Sequence, residues 1–360
     1  MRFRIPVAMG LALVLVTSAC GSDAAPETTA APETTAATET TAATETTAAT
    51  VECQEMDSIT MAQAVMPPKF AMLTPSMTLE LGFFEEFCID AEVISFQKGI
   101  NSLLAMQAGE VEVAIPPAAS LMNAIGQGSP IIGWFAPASR LPQLILATQE
   151  INSCEDLEGK TVATGGPGDL VHHLMGTYLA TCGLDIDTDV EVFVGSAADY
   201  GPQMAQGVAQ ASALHVDDKM VIEQSQGIEL KVLADAAEIL PDYAYQATAS
   251  TLASVEQNRD AYVRAAAAML KTNRWMKDPA NREEMLDVAT TVSGRDRAIL
   301  EFAYDRYVEK FPGTCAEAFP PASFTFTMEL QMEQENLEQP LTMDQVFDTS
   351  ICDEAEALLK

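Results

Sequence analysis

The stretch from Gly82 to Ala118 restricts the possible folds more than any other part of the chain. It reads GFFEEFCIDAEVISFQKGINSLLAMQAGEVEVAIPPA. Ala91–Phe96 is a β-branched and aromatic run, and Glu110–Ile115 alternates strictly between polar and apolar residues, so both are predicted strands. Between them, Asn101 is predicted to cap a helix over Ser102–Ala108. The stretch therefore predicts a strand, a helix and a second strand in succession.

A strand, a crossover helix and a second strand form a βαβ unit, in which the two strands are parallel. Parallel strands place their carboxyl ends at one edge of the sheet, and ligands of open α/β sheets bind at that edge. The segments that follow the two predicted strands are Gln97–Gly99 and Pro116–Ala118. The stretch thus predicts an α/β fold, with these two segments as the first candidates for a binding site.

The first twenty residues have the pattern of an export signal. Arg2 and Arg4 make a basic start, and Val7–Val16 is an apolar run that is too short to span a membrane. The segment Thr17–Cys20 resembles a bacterial lipobox, although such boxes usually begin with Leu or Val. We interpret residues 1–20 as a lipoprotein signal peptide with Cys20 as the lipidation site. The alternative is an ordinary cleaved signal with a chance cysteine.

Residues 21–50 consist of repeats of PETTA and TETTA with almost no large apolar side chain. Such a segment cannot bury enough surface to offset the entropy of ordering it, so we expect a disordered tether. A lipid anchor followed by a tether would hold an exported domain near the outer face of the cytoplasmic membrane. The folded part is expected to start near Val51.

The chain carries 19 Lys and Arg against 52 Asp and Glu, which gives a formal net charge of −33. This charge argues against partners that are polyanions, namely nucleic acid and anionic lipid surfaces. After residue 50, no apolar run reaches the length that crosses a membrane. Contact with the membrane is therefore expected through the lipid anchor only.

Seven cysteines are present, and six remain once Cys20 is set aside. An even number in an exported protein favours disulfides. The predicted order of strands and helices brings the cysteines together at shared sheet edges or in the tail, as the pairs Cys53–Cys88, Cys154–Cys182 and Cys315–Cys352. A metal site is the rival interpretation, but the chain has neither a Cys-x-x-Cys motif nor a Cys/His cluster. No metal site is therefore predicted.

A second α/β series follows from Ile151, and at this point a family resemblance is visible. The matching segments, in order, are GFFEEFCIDAEVISFQKGINSLLAMQAGEVEVAI, INSCEDLEGKTVAT, a Gly-rich turn with its helix, DVEVFVG, GVAQASAL and NRWMKDPANREE. Over about residues 57–310 the chain resembles solute-binding proteins of ABC importers, in the nitrate/sulfonate/taurine and thiamine-pyrimidine group. Cys88 stands where that family usually has Gly.

The resemblance implies an α/β, two-lobed periplasmic-binding-protein fold of type II, with two mixed sheets flanked by helices and a ligand cleft between the lobes. It places lobe 1 at residues 51–142 and 246–360, and lobe 2 at residues 143–245. It implies a monomer that binds a small molecule and delivers it to an ABC permease with its ATPase. It also implies no catalysis and no cofactor.

Candidate ligand contacts in the first lobe follow predicted strands. Lys69 and Lys98 are the only basic residues between Val51 and Ser139, and both lie at the ligand edge. They suggest an anionic ligand, or else they are solvated lysines. Arg140 could clamp an anion, or form a salt bridge at the hinge. The full set of first-lobe candidates is Lys69, Phe70, Gln97, Lys98, Gly99, Pro116, Pro117 and Arg140.

In the second lobe, a glycine-rich loop precedes a helix whose free N–H groups suit anions. Asp169 is predicted to cap that helix and would repel an anion, which would instead favour a ligand amine. His215 follows a strand, as Ser196 does, while Phe70 and Tyr243 are aromatic side chains that could stack on a flat ring. The second-lobe candidates are Thr164, Gly165, Gly168, Asp169, Ser196, His215 and Tyr243.

Two ligand classes stay open from the residues: a sulfonate-like or nitrate-like anion, and a heterocycle that resembles a pyrimidine or a thiamine precursor. Two other functions also need stating. A binding protein that serves a membrane receptor would use the same cleft. An exported hydrolase would need a nucleophile and a base, but there is no Gly-x-Ser-x-Gly motif, and the three histidines form no recognisable catalytic arrangement.

Overall fold

The computed structural model describes residues 53–65, 67–96 and 99–360. Several predictions concern residues outside these ranges: the signal peptide, the tether, the lipidation of Cys20, and ligand contacts by Gln97 and Lys98. Within the described ranges, no helix has both the length and the apolar character that a membrane crossing requires.

Ten strands occur in the described part of the chain, and they form two five-stranded sheets. In chain order they are β1 (Asp57–Ala64), β2 (Ile89–Phe96), β3 (Val113–Ala114), β4 (Ile131–Phe135), β5 (Gln143–Ala147), β6 (Thr161–Thr164), β7 (Glu191–Val194), β8 (Ala211–His215), β9 (Lys231–Asp235) and β10 (Thr248–Thr251).

The first sheet has the strand order β2-β1-β3-β10-β4. Strand β1 pairs in parallel with both β2 and β3, so it lies between the two strands of the predicted βαβ unit. Strand β10 runs antiparallel to β3 and β4, which makes the sheet mixed. The carboxyl ends of β1 and β3 consequently meet at one edge, as the sequence predicts.

The second sheet has the order β7-β6-β8-β5-β9. Strand β6 pairs in parallel with β7 and β8, whereas β5 runs antiparallel to β8 and β9. The chain passes from the first sheet to the second between β4 and β5, and returns between β9 and β10. Two mixed sheets flanked by helices confirm the predicted fold class.

The helices cover the faces of both sheets. They are α1 (Thr74–Glu80), α2 (Phe83–Glu86), α3 (Gly99–Gln107), α4 (Ala118–Gly126), α5 (Leu170–Ala180), α6 (Ala197–Ala205), α7 (Val216–Gln226), α8 (Ala236–Ile239), α9 (Leu252–Lys277), α10 (Arg282–Ser293), α11 (Arg297–Tyr307), α12 (Cys315–Ala318), α13 (Pro321–Glu333), α14 (Met343–Val346) and α15 (Thr349–Leu358). Short 3₁₀ turns occur at Phe70–Met72, Glu155–Leu157, Pro279–Asn281 and Val308–Lys310.

Two local predictions in the opening stretch are wrong. Helix α3 begins at Gly99, so Asn101 lies inside the helix and does not cap it. Leu103 and Met106 of this helix are buried in the core cluster of the first sheet. The strand predicted over Glu110–Ile115 has only two ladder residues, Val113 and Ala114, opposite Met61 and Ala62.

The tail helices α10 and α11 pack against the core of the second sheet. Tyr307 and Phe311 are buried in the same cluster as Leu214 of β8 and Phe70. A separate cluster under the first sheet contains Trp134, whose Nε1–H donates to Ser250 Oγ at 3.1 Å. The chain after β10 therefore supports both sheets.

The six cysteines form the three predicted disulfides. Cys53–Cys88 ties the start of the described chain to the start of β2, and Cys154–Cys182 ties the segment before β6 to the end of α5. Cys315–Cys352 joins α12 to α15. None of these cysteines lines the cavities described below. The bonds join residues 35, 28 and 37 positions apart, and such links stabilise a fold by restricting the unfolded chain.

Candidate ligand-binding site

An inner cavity of about 210 Å³ lies where residues from both sheets and from the return segment before β10 meet. Pro117 follows β3 in the first sheet, whereas Gln143 and His215 belong to β5 and β8 in the second. The lining residues are Val65, Met72, Pro117, Gln143, Leu170, His215, Tyr243, Tyr245 and Gln246. Apolar and aromatic surface with a few uncharged polar groups is typical of a small-molecule site.

Antiparallel pairing places the two polar groups of the second sheet side by side. Gln143 opens β5 and stands directly opposite His215, the last residue of β8. Side chains of directly opposed residues project from the same face of the sheet. Gln143 is 5% exposed, and its Oε1 has no hydrogen-bond partner. A buried acceptor without a partner costs free energy, so it is a position where a ligand donor would be favoured.

His215 and Tyr245 act as one hydrogen-bonding unit. His215 Nε2 lies 3.5 Å from Tyr245 Oη. His215 is the N-cap residue of α7, and Asp218 is the third residue of that helix in the same capping box. The buried Nδ1 of His215 nevertheless makes no hydrogen bond of normal geometry. If the tyrosine donates to Nε2, the Nδ1–H is free; if Nε2–H donates, the tyrosine O–H is free. Either tautomer leaves one unpaired donor.

The histidine is uncharged at neutral pH. Burial lowers the pKa of His215 well below its ordinary value of 6.5, and the positive charges of Lys69 and Arg295 lower this pKa further. Burial also raises the pKa of Tyr245 well above its usual value and raises the pKa of Tyr243 to about 12. All three rings are therefore neutral hydrogen-bonding groups in the cavity.

An outer cavity of about 280 Å³ adjoins the inner one and shares Pro117, Leu170 and Tyr243 with it. Its walls come from α4, the loop before α5, and α13 with the segment that follows. The lining residues are Pro117, Ala119, Ser120, Asn123, Gly168, Asp169, Leu170, His173, Tyr243, Leu330, Gln331, Gln334 and Asn336. The outer cavity is more polar than the inner one.

The glycine-rich loop positions Asp169. Gly166 and Gly168 have φ of +88° and +84°, a conformation that side-chain-bearing residues rarely adopt. Gly165 leaves room for the carboxylate, because a Cβ there would lie 2.3 Å from Asp169 Cγ. Asp169 Oδ1 accepts a hydrogen bond from the Val171 N–H at 2.8 Å and caps α5, as predicted.

Next to the inner cavity, four charged residues form what we name the ion-pair cluster: Lys69, Asp217, Asp218 and Arg295. Lys69 Nζ donates to Asp218 Oδ2 at 2.6 Å. Asp217 is fully buried, and its Oδ2 accepts from the Phe70 N–H at 2.9 Å and lies 3.3 Å from Arg295 Nε. Burial raises the pKa of Asp217, against the lowering effect of Arg295. The cluster joins the 3₁₀ turn after β1 to α7 and to the start of α11.

The structure brings together five of the residues that the sequence nominated: Pro117, Gly168, Asp169, His215 and Tyr243. Thr164 and Gly165 line neither cavity and instead belong to the glycine-rich loop. Thr164 Oγ1 accepts from the Gly166 N–H at 3.1 Å and so supports this loop. Pro116 lines neither cavity, and its carbonyl accepts a hydrogen bond from the Ala247 N–H at 3.1 Å. Gly99 begins α3 and lines neither cavity.

Three other nominated residues line neither cavity. Lys69 belongs to the ion-pair cluster. Phe70 is fully buried in edge-on contact with Tyr304 and Tyr307, so its ring has no free face for a ligand. Ser196 caps α6, where its Oγ donates to Asp199 Oδ2 at 2.7 Å.

Arg140 faces a different depression. Its Nη1 donates to the Pro241 carbonyl, and it lines a cavity of about 350 Å³ together with Glu238, Glu309 and Lys310. This cavity shares no residue with the inner or the outer cavity. The contact is with a backbone carbonyl, so it is not the hinge salt bridge of the second interpretation, and the anion clamp stays a prediction.

Sequence reasoning missed several lining residues. Gln143 carries a usable signal, because it is the one polar residue of the buried strand QLILA. Tyr245 and Gln246 lie in the segment that returns from the second sheet to the first. The sequence predicted this return, but did not predict that these two residues line a cavity. Asn123 and the residues of α13 carry no local signal, because their place in the site depends on how the tail packs.

The NMT1/THI5-like family matches residues 76–281, which is more than half of the chain. A search of curated protein sequences found no match.

Solved structures share the fold at low identity. The ligand-binding component of an ABC-type import system from Staphylococcus aureus, with zinc bound, is 13% identical with a TM-score of 0.68, over 83% of this chain and 99% of that one. The periplasmic aliphatic sulphonate-binding protein SsuA from Escherichia coli is 15% identical with a TM-score of 0.63, over 81% and 92%. The periplasmic nitrate-binding protein NrtA from Synechocystis PCC 6803 is 14% identical with a TM-score of 0.64, over 85% and 90%.

Proposed function

Because the chain belongs to the NMT1/THI5-like family, we propose that it is the solute-binding component of an ABC importer, with its ligand in the inner cavity. The two-sheet fold, which it shares with binding proteins of such importers, supports this proposal. The ligand would contact groups from both sheets at once. It would therefore stabilise the arrangement in which the two sheets are close, in proportion to its preference for that arrangement.

One feature of the inner cavity supports a choice of ligand class: an unpaired acceptor lies beside a histidine–tyrosine pair that has one donor to spare. Gln143 Oε1 is the acceptor, and the pair of His215 with Tyr245 supplies the donor. The complementary ligand is an uncharged flat ring that carries an N–H next to a carbonyl or a ring nitrogen. Tyr243 and Tyr245 offer aromatic surface to such a ring. Of the two classes that the sequence left open, the geometry favours the pyrimidine-like heterocycle.

The charges in the site support the same choice. Among the described residues, no Lys or Arg lines either cavity. The nearby cations Lys69 and Arg295 are held by Asp218 and Asp217, and Asp169 would repel an anion. Two structural neighbours are named as binding proteins for sulphonate and for nitrate, but such anions are usually held by charged or N–H donors directed at them.

The location of the protein belongs to the same proposal. The basic start, the apolar run and the lipobox-like segment that ends at Cys20 support export and lipidation. The repeats over residues 21–50 would then tether the folded part outside the cytoplasmic membrane, where a permease with its ATPase would receive the ligand. Mass spectrometry of the membrane fraction tests this, since diacylation at Cys20 adds a defined mass that Cys20→Ala removes.

A thermal-shift experiment with uracil, cytosine, taurine and nitrate tests the ligand class. Uracil or cytosine should raise the melting temperature in a concentration-dependent way, whereas taurine and nitrate should leave it unchanged. Gln143→Leu is the matched control, because it keeps the volume of the side chain and removes the acceptor. A shift with taurine or nitrate, and none with the pyrimidines, would overturn the proposed ligand class.

A further inference from the structure

The outer cavity depends on a part of the chain that the family match does not reach. Leu330, Gln331, Gln334 and Asn336 belong to α13 and the residues just after it, whereas the match ends at residue 281. They face α4 and the start of α5 across the cavity. This wall is therefore an addition to the part of the fold that the family model describes.

The tail wall is fixed by a network of amide hydrogen bonds. Gln331 Oε1 accepts from Asn123 Nδ2 at 2.9 Å and from Asn336 Nδ2 at 3.0 Å. Gln334 Oε1 accepts from Gln331 Nε2 and from Asn336 Nδ2, both at 3.3 Å. Because Asn123 uses its N–H₂ group in this network, its carbonyl oxygen is left over.

Two of the groups left over in the outer cavity, a carboxylate and an amide carbonyl, can only accept hydrogen bonds, and the third is a histidine ring nitrogen. Asn123 Oδ1 and His173 Nε2 are buried and have no hydrogen-bond partner. Burial lowers the pKa of His173, so this ring is neutral. Asp169 adds a carboxylate that makes no ion pair within the described ranges of the chain. A ligand group that enters here would have to bring hydrogen-bond donors.

We propose that the outer cavity binds a protonated amine, carried on a short arm by the ring that occupies the inner cavity. This inference rests on the proposed function, because the ring must bind first. The two cavities meet at Pro117, Leu170 and Tyr243, so an arm that leaves the ring beside Tyr243 enters the outer cavity directly.

An ammonium group fits better than a hydroxyl for two reasons. It has three donors and no acceptor, which matches Asp169 and Asn123 Oδ1, and also His173 Nε2 in the tautomer that carries its proton on Nδ1. It would also give Asp169 a positively charged partner, which no described Lys or Arg provides in this cavity. The net charge of −33 adds a general attraction for cations over the whole molecule.

Three ligands with one ring test the inference by calorimetry on the intact protein: 5-(2-aminoethyl)uracil, 5-(2-hydroxyethyl)uracil and 5-ethyluracil. The amine should bind about tenfold or more tightly than the ethyl compound, as expected for a charge-assisted hydrogen bond in a half-buried site. Asp169→Asn should remove most of this advantage and leave the affinity for 5-ethyluracil unchanged. Asparagine is as good a helix cap as aspartate, so α5 should keep its start.

Glu338→Gln is the matched control, because it removes one negative charge from an exposed position on the same tail. It should leave all three affinities within a factor of two. Equal affinities of the three ligands for the unchanged protein would overturn the amine inference while the proposed heterocycle class stands. If none of the three binds, both the ring class and the amine inference are wrong. An amine advantage that survives Asp169→Asn would also overturn the role of this carboxylate.

Discussion

The ion-pair cluster and the inner cavity lie side by side, and segments next to both sheets contribute to each. They differ in whether their polar side chains have partners within the protein. In the cluster, every charged residue has a partner of opposite charge: Lys69 pairs with Asp218 and Arg295 with Asp217. In the cavity no side chain is charged, and Gln143 Oε1 and His215 Nδ1 have no partner. The charges of the cluster are therefore paired without a ligand, although Asp217 Oδ1 also lacks a hydrogen-bond partner, whereas the unpaired polar groups of the cavity are uncharged.

The difference shows which polar residues hold the fold and which are left for a ligand. Charge on its own is a poor guide, because a partly buried charge that already has its partner has little left to offer to a solute. An uncharged buried group without a partner carries a cost that only another molecule can remove. The comparison predicts separable effects: substitutions in the cluster should change stability, and substitutions in the cavity should change affinity.

The largest effect is expected from Asp217→Ala. Removing this carboxylate leaves the Phe70 N–H and the Arg295 guanidinium without their buried partner. We expect the free energy of unfolding to fall by about 3–5 kcal/mol, as measured by denaturant titration followed by circular dichroism. Asp242→Ala at an exposed position is the control and should change it by less than about 0.5 kcal/mol. A change at Asp217 as small as that of the control would show that the cluster does not hold the fold.

Gln143→Leu should lower the affinity for ligand and leave the stability of the protein nearly unchanged, the reverse of the effect expected for Asp217→Ala. The substitution replaces an unpaired buried acceptor by an apolar group of similar size, so the free energy of unfolding should stay the same or rise slightly. The affinity for uracil or cytosine should fall about 10-fold to 100-fold, because the ligand donor loses its acceptor. Calorimetry and denaturant titration on one preparation measure both quantities. A large loss of stability with unchanged affinity would reverse the comparison.

A smaller effect is expected from pH, through His215. Its pKa in the fold is well below the value of 6.5 that it has when free. As pH falls below about 6.5 the unfolded chain therefore takes up a proton that the folded chain does not, and stability decreases by up to about 1.4 kcal/mol per pH unit. Asp217, whose pKa is raised in the fold, acts in the opposite direction at lower pH.

His215→Gln separates the two contributions. Between pH 7.5 and 5.5, the variant should lose less stability than the unchanged protein, because glutamine does not titrate. Denaturant titrations at four pH values measure the difference between the two slopes. Parallel slopes would mean that His215 takes up a proton in the fold as easily as in the unfolded chain, contrary to its burial.

The smallest effect is expected from Arg140→Ala. Arg140 contacts the Pro241 carbonyl and lines neither the inner nor the outer cavity. Affinity for the heterocycles should stay within a factor of two and should not depend on salt. A salt-dependent loss of affinity for taurine or nitrate in this variant would instead locate an anion site near Arg140 and restore the anionic ligand class.

Much of the fold could be predicted because its signals are local. The run Ala91–Phe96 is a strand, three segments of the second series fall on strands β6, β7 and β8, and the cysteine pairs follow from the order of the predicted elements. The site was predicted in part. His215 and Pro117 follow from the rule that strands end at the ligand edge, whereas Lys69 obeys the same rule and lies in the ion-pair cluster instead.

The sequence by itself determined the two α/β series, the disulfide pairs, the glycine-rich loop that ends in Asp169 and the acidic character of the chain. These depend on periodicity, on turn residues and on composition, which act over short stretches. Only the tertiary structure decided which polar groups are satisfied. Asp217 lies far along the chain from Phe70, and Gln143 from His215, so their partners, or the lack of them, are fixed by how β5, β8, α7 and the tail helices pack together.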